Sequence, residues 1–91
     1  MVKLTDIFTS KAQVKLIEYL LNNKDKVFNQ SFLASTLNLS PSTIARVIEP
    51  LAKLGLLKYE RFGGGMKVLC LNAEDPVAKL LLELNEELRR L

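Results

Sequence analysis

There is no histidine among the 91 residues, only one cysteine, and no apolar run near the roughly 20 residues that cross a bilayer. The missing histidine removes the usual general base and the commonest transition-metal ligand. Cys70 alone builds neither a Cys-x-x-Cys metal site nor an internal disulfide, which accords with a reducing compartment. Glycine is scarce as well: there are four, and three are consecutive, Gly63 to Gly65. They make no phosphate-binding loop, because they fall between two extended stretches rather than before a helix. Glu86 and Glu87 are neighbours on one helix, not a carboxylate pair across a cleft. The expectation is no enzyme, no metal and no cofactor. The start, MVKLTDIF, has neither the apolar core nor the small-residue cleavage site of a signal peptide, so the expected location is the cytoplasm, with no membrane contact.

What the chain does contain is ordinary for a globular protein: 48% hydrophobic and 25% charged residues. The length suits one domain with a small core. Its net charge of +3 is unevenly placed, with a balance of +5 over residues 1–73 and −2 over residues 74–91. We divide the single domain there, into a basic body and a mildly acidic C-terminal helix. Such a split fits a nucleic-acid-facing part and a part with another task. Uneven surface charge without meaning is the alternative.

Residues 1–9 read as a lead-in whose Leu4, Ile7 and Phe8 pack on the body. Ser10 and Gln13 have capping-box spacing, which predicts a helix from Lys11 to about Asn22. Val14, Ile17 and Leu21 make its expected apolar face, widened by Leu16 and Leu20. Val27–Phe28 is a brief strand or an apolar anchor. Asn29 caps a second helix over 30–37, with Phe32, Leu33 and Leu37 expected to face inward. Asn38-Leu39-Ser40 is a tight bend, and Asn tolerates the positive φ such bends use.

Ser40 and Pro41 then start a third helix that Gly55 ends. Ile44, Val47, Ile48, Leu51 and Leu54 form one apolar stripe along it. Ser42, Arg46, Glu49 and Lys53 occupy the opposite face, leaving a polar ridge. Pro50 is expected to kink this helix near Arg46 rather than break it. From 56 to 61 and from 66 to 71 the pattern turns extended, with a glycine turn between and Arg61 and Lys67 flanking the tip. Finally Asp75 and Pro76 open a last helix. Val77, Leu81, Leu84, Leu88 and Leu91 follow the 4-3-4-3 spacing of a helix that meets another helix. About two heptads do not hold a coiled coil alone, so Leu80 is expected to lean on the domain. A seam between two copies is preferred. A helix folded on its own core is the alternative.

Gln30 to Glu49 resembles a helix-turn-helix unit, with Ala34 at its small position and Asn38 where the turn glycine usually sits. Taken with SKAQVKLIEYLL, LASTLNLSPSTIARVIEPLAKLGLLKYE, the glycine wing and LNAEDPVAKLLLEL, nearly the whole chain resembles the winged-helix transcriptional regulators of the ArsR-like and MarR-like kind, in their small archaeal form. The resemblance implies an α+β, mostly helical fold: a winged helix-turn-helix with a C-terminal dimerisation helix. It implies a third helix in the major groove, led by Ser42, Thr43 and Arg46. It also implies a wing on backbone or minor groove, using Arg61 and Lys67.

Arg46 is the residue expected to read a base, since a guanidinium pairs bidentately with guanine O6 and N7. A surface ion pair with Glu49 is its alternative. Ser42, Thr43 and Lys53 are expected on phosphates, setting register. Glu49 accepts from cytosine N4 or orients Arg46 or Lys53. For Tyr59, strand packing is favoured over DNA contact; for Phe62 the two readings stand equal. Cys70 reads as a small packing residue rather than a redox switch. The expected function is that of a homodimeric, sequence-specific regulator bound to double-stranded DNA, with the effector, if any, unassigned. A protein-interaction module in a larger nucleic-acid-related complex is the alternative. Single-strand binding ranks third, because no aromatic stacking platform is evident.

Overall fold

The structure is a computed structural model and describes residues 7–62 and 66–91. Its elements run α1 (Lys11–Asn22), β1 (Phe28–Asn29), α2 (Gln30–Thr36), α3 (Pro41–Lys53), β2 (Leu57–Phe62), β3 (Met66–Leu71) and α4 (Pro76–Arg89). The expectations for Leu4, for the Gly63 to Gly65 tip and for the Phe62 side chain lie outside the described residues.

Each helix begins at a polar cap anticipated from its residue type. Ser10 accepts from the Gln13 N–H at 3.2 Å, Asn29 from Phe32 at 2.6 Å, and Ser40 from Thr43 at 3.2 Å. Asp75 Oδ2 takes two, from Val77 at 3.0 Å and Ala78 at 3.1 Å. One such cap contributes about 1 kcal/mol, enough to decide where a short helix starts.

The ends of α2 and α3 are built alike. After α2, Leu39 N–H reaches the Ala34 carbonyl at 2.9 Å and Asn38 N–H reaches Ser35 at 3.2 Å, with Asn38 at φ 56°. After α3, Leu56 N–H reaches Leu51 and Gly55 N–H reaches Ala52, both at 3.1 Å, with Gly55 at φ 85°. This nested pair of bonds is the Schellman stop, which needs one left-handed residue and usually takes glycine. Asparagine does that work between the two helices of the helix-turn-helix.

A three-stranded antiparallel sheet of order β1-β3-β2 closes the fold. Its inner face packs on the helices around fully buried Leu16, Leu20, Leu33, Ile44, Leu51 and Leu69. At about 1.5–3 kcal/mol for each large side chain buried, these six outweigh the caps and hold the helices to the sheet.

Three expectations are corrected here. Val14 is exposed, because the inner face of α1 centres on Gln13, Leu16, Ile17 and Leu20. Gln13 occupies that buried place because its amide donates to the Ile7 carbonyl at 2.7 Å and its side-chain oxygen accepts from Thr9. Phe32 is also exposed, since Leu33 and Ala34 fill the inner side of the two-turn α2. It stacks instead on Phe28, 5.8 Å away and nearly parallel, and Phe28 in turn meets Tyr19 at 5.2 Å. Leu80 faces outward, 65% exposed, whereas Ala78 is fully buried. The small Ala78 lets the α4 backbone sit close to the core, and that rotates Leu81 inward and Leu80 out.

Pro50 lies within α3, which runs as one element from Pro41 to Lys53. Pro50 and Arg46 are both exposed, so water can satisfy the Arg46 carbonyl that a proline at i+4 leaves without a donor.

Candidate nucleic-acid interface

Four buried residues of α3, Ile44, Val47, Ile48 and Leu51, clamp one side of the helix into the core. The opposite side is thereby fixed toward solvent. Ser42, Arg46, Glu49 and Lys53 are all exposed, and Thr43 is half-buried at the edge. A rigid helix anchored along one stripe cannot roll these side chains inward without emptying the core.

The polar face is internally wired. Ser40 Oγ donates to Thr43 Oγ1 at 2.8 Å and lies 3.2 Å from Ser42 Oγ. Arg46 Nη2 reaches Thr43 Oγ1 at 3.4 Å. Glu49 pairs with Lys53, one turn on, at 3.2 Å. Of the two partners considered for Glu49, the structure therefore shows Lys53, and Arg46 turns to Thr43 instead. Both members of the Glu49–Lys53 pair are more than two-thirds exposed, so it adds little to stability. Lys53 also sits in the last turn of α3, where a cation complements the helix dipole.

On the wing, Arg61 and Lys67 are directly opposed across β2 and β3. Strand alternation puts them on the same sheet face as Leu57, Tyr59, Leu69 and Leu71, the face turned toward the helices. Like charges placed opposite one another repel unless something anionic lies between them. Tyr59, half-exposed, donates its hydroxyl to Gln30 Oε1 at 3.2 Å and so ties the wing to α2.

Between these parts runs an open groove of about 710 Å³. Asn29, Gln30, Ser31 and Ser35 line it from α2 and its cap, Pro41 and Ile44 from α3, and Met66 and Lys67 from β3. The groove joins the start of α3 to the wing. Ser31 and Ser35 were not singled out from sequence; their four-residue spacing on the polar side of α2 was the only available signal.

The last helix presents a second surface. Leu81 is buried against the chain's own core and Val77 is half-buried, while Leu84, Leu88 and Leu91 are exposed together with Leu80. Asn85 donates to the Asn22 side chain at 2.8 Å, holding α4 to the end of α1. Phe8 and Val14, each more than one-third exposed, border a shallow apolar groove beside Leu84. Among the described residues, no three of Cys, Asp and Glu gather as a metal site.

Comparison with solved structures gives the fold a context. The antimony-specific transcriptional repressor AntR superposes with a TM-score of 0.73 at 20% identity, over 96% of this chain and 74% of its own. A protein described as a possible transcriptional regulator from Methanosarcina mazei Go1 gives 0.69 at 17%, over 93% and 74%. A double mutant of Lactococcus lactis ZitR in apo form gives 0.64 at 19%, over 91% and 65%. The fold is that of winged-helix regulators. At these identities the likeness speaks to architecture alone. No family model and no curated protein sequence matches the chain.

Proposed function

We propose that this chain is a homodimeric, sequence-specific regulator of transcription that binds double-stranded DNA. One observation carries the reading: the start of α3, at Pro41 and Ile44, and Lys67 of the wing line a single groove open to solvent, while the polar face of the same helix is exposed and Arg61 lies opposite Lys67. The regulator folds it resembles support it. In this reading α3 enters the major groove, Arg46 reads a base edge, and Ser42 and Thr43 lead the contact. Lys53, Arg61 and Lys67 hold phosphates and set register. Leu84, Leu88 and Leu91, with Leu80 added, form the exposed part of the seam between two copies, while Val77 and Leu81 support it from beneath. A twofold pair places two α3 helices in successive major grooves, roughly 34 Å apart, over a near-palindromic site. The compartment implied is the cytoplasm, and no described helix is long and apolar enough to cross a membrane.

A mobility-shift titration against random genomic fragments in moderate salt tests the reading. Selective retention of a subset of fragments is the expected result. The second reading, a protein-interaction module, draws on Glu49 in the middle of the polar face and on the exposed leucines. It predicts no retention, together with a stable heteromeric complex recovered from cells.

A further inference from the structure

The hydroxyl groups at the start of α3 form a chain with a direction. A hydroxyl has one proton to give and two lone pairs. Ser40 gives its proton to Thr43 Oγ1 and accepts the Thr43 backbone N–H as the helix cap. With its proton committed, Ser40 meets Ser42 Oγ at 3.2 Å as an acceptor, so Ser42 is the donor in that contact. Thr43 Oγ1 accepts twice, from Ser40 and from Arg46 Nη2. Both its lone pairs are then engaged, which leaves its own proton as the group it can still offer. Arg46 spends one of five N–H groups on Thr43 and keeps the rest.

We propose that this chain makes Thr43 the positioning residue for Arg46 and sets which base edges α3 accepts. Thr43 and Arg46 together present donors, and Ser42 presents acceptor lone pairs only. Two adjacent acceptors on one base edge are found in the major groove at guanine, O6 and N7, whereas an exocyclic amino donor is offered by adenine or cytosine. The preferred half-site therefore contains a guanine next to a base with an amino group. This rests on the DNA-binding reading above and specifies it.

Selection of bound duplexes from a random pool, run in parallel with wild type, Thr43→Val, Thr43→Ser and Ser42→Ala, tests the proposal. Wild type and Thr43→Ser enrich guanine beside adenine or cytosine. Thr43→Val, nearly the same shape without the hydroxyl, loses about tenfold of the guanine preference, a loss beyond any it shows on random duplex. Ser42→Ala keeps the guanine and loses the preference for an amino base. In the protein without DNA, ¹⁵N relaxation of the Arg46 guanidinium shows greater mobility in Thr43→Val, restored to the wild-type value in Thr43→Ser. Selection by Thr43→Val as sharp as wild type overturns the proposal and leaves DNA binding intact, as does an Arg46 equally mobile in all variants. A wild-type protein that retains no duplex overturns the function on which the proposal rests.

Discussion

The carbonyl of Gly55, at the end of α3, accepts a 3.0 Å hydrogen bond from the Asn72 side chain, just before α4. The Asn72 backbone N–H bonds the Leu56 carbonyl at 2.9 Å beside it. Asp75, the cap of α4, comes so close that a Cβ on Gly55 would sit 3.2 Å from its Oδ1. The C-terminal end of the candidate reading helix and the start of the candidate dimer helix are thus one junction. Its geometry depends on a left-handed residue without a side chain.

Gly55→Ala should lower stability by about 1–2 kcal/mol, the cost of a side chain at positive φ, with crowding against Asp75 adding to it. Thermal unfolding reads this as a fall of about 4–8 °C per kcal/mol for a domain of this size. Combining it with Asp75→Ala should cost less than the two single changes together, because the second change removes the atom the new methyl meets.

Asn38→Gly should act in the opposite direction. The position is left-handed at φ 56° and its bonds come from the backbone, so glycine keeps the stop and relieves the strain. The expected gain is about 0.5–1 kcal/mol in denaturant midpoint at unchanged slope. A loss of stability would show that the Asn38 side chain contributes a contact of its own.

Arg46→Ala should cost about 1–3 kcal/mol of specific DNA affinity and relax preference at one position. Equal losses on specific and random duplexes would remove its base-reading role. Lys67→Ala should weaken all sequences alike and make the plot of log affinity against log salt shallower by about one unit. A salt slope identical to wild type would take Lys67 off the phosphates.

Leu84→Glu, at an exposed position of α4, should leave the fold intact and convert dimer to monomer in light scattering. A mass unchanged by this substitution, and by Leu88→Glu, would move the contact between copies elsewhere. Leu81→Ala is the contrasting case. It removes a core side chain and should destabilise each protomer by about 2–5 kcal/mol.

Local chemistry alone determined a good deal of this protein. Caps, a helix stop and the alternation of strands depend on residues a few positions apart, so Ser10, Asn29, Ser40, Gly55 and Asp75 were legible, as was the outward ridge of α3. Distant packing was not. Whether Val14 or Gln13 faces inward depended on the Ile7 carbonyl needing a donor, and whether Leu80 or Leu81 is covered depended on how closely Ala78 approaches the core. The opposition of Arg61 and Lys67 required the strand register, and the turn of Arg46 toward Thr43 rather than Glu49 required side-chain positions. Periodicity marks which face is apolar to within a residue or so; only the competition among neighbouring side chains for one finite core decides where that face is centred.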